Sequence, residues 1–264
     1  MKTKIVGILN VTPDSFSDGG KFNSFDAALN HLQKLLQDGA DVIDVGAEST
    51  RPKATPIQAE EEWRRLEKIL PAVVLQVKKF NQNSQKKVQT SIDSYHFETV
   101  KKSHEAGVDV INDVSGLADE KIVRFIAEKN VTTILMHSLP IIANPDLVVN
   151  QNLKINQEIL NWAWTKISDL EKKGVKKSQL IFDVGIGFNK DAAQSIRILK
   201  NIVDYRVLGL PLYVGHSKKS FLDAIKIDGD RAEKTLAVSK FLIEKKIEFL
   251  RVHDVAQHVE AACS

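Results

Sequence analysis

Short apolar runs recur along the whole chain, and a polar residue follows each of them directly or within a few positions. There are eight such runs in 264 residues, which is one for about every 33 residues. Several runs are apolar nearly throughout rather than alternating, which is typical of parallel strands covered on both faces. The runs are residues 5–9, 42–45, 88–92, 108–111, 132–136, 180–182, 212–214 and 249–250.

Helical patterns fill the intervals between these runs. Phe25, Leu32 and Leu36 share one face of a helix, for which Ser24 is the expected N-cap and Gly39 the stop. Eight strand-then-helix units in a chain of this length predict an α/β fold, a single (β/α)8 TIM barrel over residues 1–264. The alternative is an open doubly wound sheet, which is disfavoured because no Gly-x-Gly-x-x-Gly pattern follows the first run.

Composition excludes several classes of protein. The 37 basic and 34 acidic side chains give a net charge of +3, and the basic residues form no stripe interleaved with aromatic residues. We therefore expect no nucleic-acid partner. The first run is too short for a signal peptide, and no run approaches the ~18 apolar residues of a membrane span. The only cysteine, Cys263, excludes an internal disulfide, so the sequence favours the reducing cytoplasm without a membrane association.

Polar side chains follow the apolar runs, where a barrel gathers its loops around one cavity. A single Asp or Asn at such a position commonly forms a turn, but here most of the eight positions carry a polar group. The acids and amides after the middle runs suit an uncharged, nitrogen-rich ring, and the cations after the last two suit a phosphate or carboxylate. The sequence thus predicts a pocket with two poles. Its residues are Asn10, Glu48, Asp93, Asn112, Asp183, Lys219, Arg251 and His253.

Three loops add to this prediction. The loop at 10–20 is long, with paired glycines and the carboxylates Asp14 and Asp18, and it favours a mobile lid. The loop at 46–52 carries Arg51, whose planar guanidinium fits a carboxylate or phosphate. The loop at 215–221 combines backbone donors, hydroxyls and cations, a composition that binds anions well.

These segments resemble the signatures of bacterial dihydropteroate synthases. Residues 7–20, Gly-Ile-Leu-Asn-Val-Thr-Pro-Asp-Ser-Phe-Ser-Asp-Gly-Gly, are similar to the first and most specific signature of that family. Residues 48–52, Glu-Ser-Thr-Arg-Pro, are similar to the family's second loop. The resemblance extends from residue 5 to about residue 255 because further segments follow in family order, at 91–94, 111–114, 183–188, 217–221 and 251–255.

The resemblance implies an enzyme of folate biosynthesis. The family joins 4-aminobenzoate to a dihydropterin methyl diphosphate, which gives dihydropteroate and releases pyrophosphate. It also implies Mg²⁺ as the cofactor, a cytoplasmic homodimer, and sulfonamides as inhibitors that mimic aminobenzoate. No nucleic acid and no membrane takes part in this reaction.

The resemblance also assigns roles to individual residues. Asp93, Asn112, Asp183 and Lys219 would bind the pterin, and Met136 is a further substrate-binding residue. Asn10, Thr50, Arg251 and His253 would bind the diphosphate, with Asn10 also a ligand of Mg²⁺. Arg51, Pro52, Phe188 and Ser220 would border the aminobenzoate. The catalytic residues implied are Asp18, Arg51 and Lys219.

The chain departs from the family pattern at a few positions. Val184 and Asn189 stand where the family usually has Pro and Gly, and Lys218 stands where it usually has Arg. Two other functions compete with the synthase. A pterin methyltransferase acting on methyltetrahydrofolate would not need the first signature, which is present here. A non-catalytic pterin-binding paralogue would be favoured by loss of polar residues that are all retained, namely Asn10, Arg51, Lys219, Arg251 and His253.

Overall fold

Eight parallel strands close into a barrel in the computed structural model of the chain. The structure describes residues 2–11, 20–48, 56–138, 149 and 154–264, without the side chains of residues 20–24. Each strand pairs with the next along the sequence, and the first also pairs with the last. The predicted (β/α)8 barrel is therefore confirmed. The strands are β1 (Lys4–Asn10), β2 (Val42–Gly46), β3 (Gln89–Asp93), β4 (Val110–Asp113), β5 (Thr132–Met136), β6 (Leu180–Asp183), β7 (Leu212–Gly215) and β8 (Phe249–Val252).

Helices surround the barrel and connect its strands. The first begins at Gly20, so the expectation that Ser24 is its N-cap is wrong. Apolar periodicity marks only the buried face of a helix, and this helix extends beyond the first residue that it buries. The helices are α1 (Gly20–Gln37), α2 (Ala59–Leu66), α3 (Ile69–Asn83), α4 (Phe97–Glu105), α5 (Glu120–Lys129), α6 (Ile155–Lys172), α7 (Ala192–Lys200), α8 (Arg231–Glu244) and α9 (Val255–Cys263).

The strand register brings polar strand ends to one level. Asn10 lies opposite Gly46, Gly46 opposite Asp93, and Asp93 opposite Asn112. On the other side of the barrel, Met136 lies opposite Asp183. Because all eight strands run in the same direction, these residues meet at the carboxyl end of the barrel. The polar residues that the sequence placed at strand ends therefore surround a single mouth.

The interior of the barrel is divided into an apolar and a polar part. Its amino-terminal part is filled by an apolar cluster, which includes Val6, Val42, Val110 and Tyr213. This cluster separates the carboxyl-terminal mouth from a cavity of about 220 Å³ at the opposite end. A larger core lies between the strands and the helices. Among the described residues, no helix has the length and apolarity required to span a membrane.

Candidate active site

Arg251 organises a polar layer inside the barrel, directly above the apolar cluster. Its Nε donates to Asp44 Oδ2 at 2.6 Å, and its Nη2 donates to Asp93 Oδ2 at 2.7 Å. Asn112 Nδ2 donates to the same Asp44 oxygen at 3.1 Å. Four strands therefore contribute to one connected network. Asp44 has no exposed surface, so its charge depends on the guanidinium for compensation.

Burial and charge act against each other in this layer. Burial raises the pKa of Asp93 to about 7, while Arg251 lowers it and Asp44 raises it further. Burial disfavours the charge on Arg251, but Asp44 and Asp93 outweigh that effect and raise its pKa above the ordinary value. Oδ1 of Asp44 and Oδ1 of Asp93 are buried and accept no hydrogen bond from the described residues. These oxygens are free to accept hydrogen bonds from N–H groups of a ligand.

A second acid, Asp183, ends β6 on the far side of the barrel. Its Oδ1 accepts a hydrogen bond from Gly185 N at 2.8 Å. Burial raises the pKa of Asp183, and the charge of Lys219 is the largest effect opposing that rise. Gly185 has a φ of +66°, and a Cβ there would lie 2.1 Å from His137 O. Only glycine fits at this turn, which sets the backbone donor against Asp183.

Lys219 lies beside Asp183 and closes this side of the site. Its Nζ donates to Ile186 O and lies 4.6 Å from the centroid of the Phe188 ring. Burial lowers the pKa of Lys219 to about 8, against the effect of Asp183. The ammonium therefore carries a proton at neutral pH, contacts a carbonyl and an aromatic face, and interacts electrostatically with Asp183. Such a group can donate to a carbonyl oxygen of a bound ring.

An apolar wall completes this side of the site. Met136 and Phe188 are buried and form a small cluster with Val114, against which Tyr95 packs. Met136 ends β5, next to Asp183 in register. A flat ring bound to the acids would thus also meet a polarizable thioether and an aromatic side chain.

The loops after β7 and β8 form the cationic end. Ser217 Oγ and His253 Nδ1 are 2.9 Å apart, and His253 N donates to the same hydroxyl at 3.3 Å. Lys218 Nζ forms an exposed ion pair with Asp254 at 2.8 Å. Ser220 is exposed and opens a short 3₁₀ turn, and Asn10 is half-buried at the end of β1. The predicted anion pole therefore holds His253 and several hydroxyls. Lys219 points instead to Ile186 O and the Phe188 ring, and Arg251 lies deeper, between Asp44 and Asp93.

Comparison with known proteins now identifies the family. The family model described as "Pterin binding enzyme" matches residues 6–253, which is most of the chain. The chain belongs to the pterin binding enzyme family. The dihydropteroate synthase of Clostridium beijerinckii is 38% identical over 265 residues, which cover 99% of this chain and 92% of that protein.

Two solved structures of the family are similar along the whole chain. The dihydropteroate synthase of Anaplasma phagocytophilum, with bound 6-hydroxymethylpterin-monophosphate, has a TM-score of 0.89 and 40% identity. The alignment covers 100% of this chain and 98% of that one. The dihydropteroate synthase of Xanthomonas albilineans with 4-aminobenzoic acid has a TM-score of 0.87 and 31% identity, over 99% and 91% of the two chains. The interpretation of this family member as a dihydropteroate synthase, a transferase of the folate pathway, is confirmed.

The structure gathers most of the residues that the sequence assigned to the family's site. Asp93 and Arg251 lie in the polar layer with Asn112, and Asp183 and Lys219 lie beside Phe188. Four assigned residues lie outside the described part of the chain, so their roles stay predictions. They are Asp18, Thr50, Arg51 and Pro52.

Two buried residues of the site were missed by sequence reasoning. Asp44 carried a usable signal, because it is a lone charge within an apolar run and shares the inward side of β2 with Val42. Lys190 carried almost none, since a lysine after a loop is usually an exposed residue. The structure instead buries it behind the loop that follows β6.

Departures from the family pattern are accommodated in the backbone. Asn189 has a φ of +53°, in the left-handed region where a glycine is usual and asparagine is the best-tolerated substitute. Val184 is fully buried in the main core. Both substitutions therefore keep the loop after β6 intact.

Proposed function

We propose that this chain condenses (7,8-dihydropterin-6-yl)methyl diphosphate with 4-aminobenzoate, giving dihydropteroate and pyrophosphate in the cytoplasmic synthesis of folate. The carrying observation is the buried layer in which Arg251 bridges Asp44 and Asp93 and leaves one oxygen of each acid without a partner among the described residues. Membership of the family and the likeness to structures with a pterin and with 4-aminobenzoic acid support the same reaction.

The pterin fits the deeper pole. A dihydropterin presents N–H and amino groups on both of its rings, and Asp93 and Asp183 offer acceptors to them from different sides of the barrel. Lys219 can donate to the ring carbonyl, and Asn112 can both donate and accept. Met136 and Phe188 cover the apolar faces. Asp44 acts through Arg251, whose guanidinium holds the Asp93 carboxylate in position.

With the pterin bound in this way, the reaction exchanges one bond at its methylene carbon for another. The C–O bond between the methylene carbon and the diphosphate breaks, and pyrophosphate leaves with the electron pair. The amine nitrogen of 4-aminobenzoate forms the new C–N bond and then loses a proton. Positive charge on the methylene and the conjugated ring is stabilised by the nearby carboxylates Asp93 and Asp183. His253 would bind the departing anion, and the apolar wall excludes competing water.

A magnesium ion fits the diphosphate end if the protein and the substrate bind it together, rather than the protein alone. The described part of the chain has no group of three or more His, Cys, Asp or Glu residues arranged around a metal. Mg²⁺ usually keeps several waters and takes one or two protein oxygens together with substrate phosphates. Asn10, at the end of β1, offers one amide oxygen at the barrel mouth. When bound, the ion would neutralise charge on the leaving pyrophosphate.

Fewer of the residues assigned to the aminobenzoate end belong to the described part of the chain. Phe188 and Ser220 lie on the two loops that border it, and the resemblance adds Arg51 and Pro52, with Asp18 in a catalytic role. A sulfonamide shares the shape and charge of 4-aminobenzoate, so we propose that it competes for this position. We also propose that the enzyme is a homodimer.

A direct assay tests the proposed function. The purified chain is incubated with both substrates and Mg²⁺, and pyrophosphate and dihydropteroate are followed together. We expect equal amounts of the two products, and no product from a folded Asp183→Ala variant. A folded chain that binds 6-hydroxymethylpterin but forms no dihydropteroate would instead support the non-catalytic paralogue. Methyl transfer from methyltetrahydrofolate would support the methyltransferase.

A further inference from the structure

Lys190 is buried directly behind the pterin end of the site, with 7% of its surface exposed. Its ammonium donates to three backbone carbonyl oxygens, at 2.8 Å to Phe188 O, 2.9 Å to Gly185 O and 3.2 Å to His137 O. An ammonium has three N–H donors, so this arrangement uses all of them. The side chain therefore connects the loop after β5 to the loop after β6.

The residues held by Lys190 are those that shape the site. Gly185 presents its N–H to Asp183, and Phe188 presents its ring to the ammonium of Lys219. Both residues belong to a loop with three left-handed positions, at Gly185, Gly187 and Asn189. Two of the three carbonyls that Lys190 reaches, Gly185 O and Phe188 O, belong to this loop, so its ammonium holds the loop in shape.

Charged and titratable groups approach Lys190 from several strands. Asp183 ends β6, His137 follows β5, and Lys219 follows β7. Burial lowers the pKa of Lys190 to about 7, Asp183 opposes this change, and Lys219 adds to it. Burial, followed by the charge of Lys190, lowers the pKa of His137 to about 2, so that ring is neutral. Asp191, on the adjacent helix, accepts from Gln194 N as the cap of α7.

Among the described residues, no carboxylate lies in direct contact with the Lys190 ammonium. A buried cation without such a partner is an unfavourable way to fill space. Removing an ammonium from water costs more than three neutral carbonyl contacts usually return. A methionine of similar length would fill the same volume without that cost. Packing alone therefore does not account for the charge of Lys190. The charge stabilises a nearby anion, the Asp183 carboxylate.

We propose that Lys190 is a positioning residue of the synthase reaction. Its ammonium fixes the loop after β6, which carries Phe188 and whose backbone contacts Asp183 and Lys219. Its positive charge keeps the Asp183 carboxylate ionised. This inference rests on the proposed function, because it concerns how the same site holds the pterin ring.

The test compares pterin binding by the unmodified chain, Lys190→Met and Lys190→Gln. Calorimetry measures the Kd of 6-hydroxymethylpterin at about pH 6 and about pH 8.5. We expect Lys190→Met to bind about tenfold more weakly at the lower pH, where Lys190 is charged. The ratio of the Kd of Lys190→Met to the Kd of the unmodified chain should fall to about threefold at the higher pH, where the unmodified chain loses that charge. Lys190→Gln keeps N–H donors without the charge. Its loss of pterin affinity should depend on pH in the same way as that of Lys190→Met, but should be smaller at both pH values.

Lys86→Met is the matched control. The ammonium of Lys86 also donates to a backbone carbonyl, Gly39 O at 2.5 Å, but it lies at the amino end of the barrel. We expect its pterin affinity to equal that of the unmodified chain at both pH values. A loss in Lys190→Met that is independent of pH, or no larger than in the control, would overturn the role of the charge.

A second measurement uses Lys190 itself, in case its variants fail to fold. Coupling between two binding events is reciprocal, so a charge that favours pterin binding is itself favoured by the pterin. In the chain with ¹³Cε-labelled lysine, the titration midpoint of Lys190 should rise when 6-hydroxymethylpterin is added. Lys219→Met separates the two buried lysine signals. An unchanged midpoint would contradict the inference.

The two proposals fail in different ways. An unmodified chain that neither binds 6-hydroxymethylpterin nor forms dihydropteroate would overturn the proposed function. An active chain whose Lys190→Met variant keeps the pterin affinity and pH dependence of the unmodified chain would overturn only the role of Lys190.

Discussion

Arg251 Nε lies 2.6 Å from Asp44 Oδ2, although 207 positions separate the two residues in the sequence. The pair joins the last strand of the barrel to the second, and its second branch reaches Asp93 on the third. The residue that the sequence assigned to the diphosphate thus also supports the acids of the pterin end. The two poles of the site share a side chain.

The buried pair should contribute strongly to stability. Asp44→Asn leaves the guanidinium with one carboxylate in place of two, and loss of one partner of a buried pair typically costs about 3–5 kcal/mol. We expect the free energy of unfolding in urea to fall by roughly that amount. Asp223→Asn is the control, because Asp223 pairs with Arg231 on the surface. Equal losses in the two variants would contradict the structural role of Asp44.

Asp183 should contribute directly to pterin affinity. Asp183→Ala removes the acceptor for ligand N–H groups in a buried place, which costs about 1–3 kcal/mol of binding free energy. Calorimetry with 6-hydroxymethylpterin should show a loss of at least several-fold, with an unchanged circular dichroism spectrum. Asp228→Ala, at an exposed position, serves as the control. Near-normal affinity in folded Asp183→Ala would exclude the assignment.

The cationic end can be separated from the pterin end by two variants. His253→Ala should weaken pyrophosphate binding more than binding of a pterin without the diphosphate, because His253 pairs with Ser217 at the cationic end of the site. Arg251→Met should weaken the binding of both pyrophosphate and the pterin, since the substitution also releases Asp93 from its ion pair. Titration of each ligand separately checks this. Equal effects of His253→Ala on the two ligands would contradict the two-pole arrangement.

The kcat/KM for the pterin substrate should be high only in a narrow range of pH. The pKa of Asp93 is raised to about 7, so the carboxylate that accepts ligand N–H groups is lost as pH falls below that value. The pKa of Lys219 is lowered to about 8, so its charge is lost as pH rises above that value. We expect kcat/KM for the pterin substrate to be bell-shaped, since it reports the free enzyme.

The alkaline side of that profile has its own control. An arginine remains charged over the whole range, so Lys219→Arg should lose the fall above about pH 8 at a lower maximal rate. A profile that is flat from about pH 6 to about pH 9 would show that neither residue governs pterin use.

Gly185 should tolerate no side chain. A Cβ at this position would lie 2.1 Å from His137 O, and its φ of +66° is unfavourable for other residues. Gly185→Ala should lower the melting temperature and abolish pterin binding, because the loop after β6 must move. Gly174→Ala is the matched control: its φ is +89°, but its Cβ would lie 3.8 Å from Ala127 Cβ. Its cost should be limited to backbone strain of about 1 kcal/mol.

Much of the fold could be predicted from the sequence because strands in a closed parallel barrel are buried on both faces. That constraint leaves a run of apolar residues at each strand, such as Ile5 to Leu9, and each of the eight predicted runs overlaps a strand. The beginning of α1 could not be placed, since the exposed first turn of a helix has no apolar period.

The site was predictable where polar residues end strands and unpredictable where they lie inside or behind them. Asp93 and Asp183 stand at strand ends, where a polar residue is conspicuous. The partners of Arg251 could not be read from spacing, because they depend on which inward side chains lie at the same height in the barrel. Lys190 depends on a loop shape that only the folded chain defines.

The apolar cluster beneath Arg251 has a kinetic consequence. Val6, Val42, Val110 and Tyr213 close the barrel below the polar layer, so every substrate and product passes through the same mouth. In the proposed arrangement the pterin ring binds deepest, so we expect it to arrive before anything that occupies the outer part of the site. The product retains that ring, so we expect it to leave only after pyrophosphate has moved aside. Side chains that never touch the reacting atoms would thus impose an order of arrival and departure.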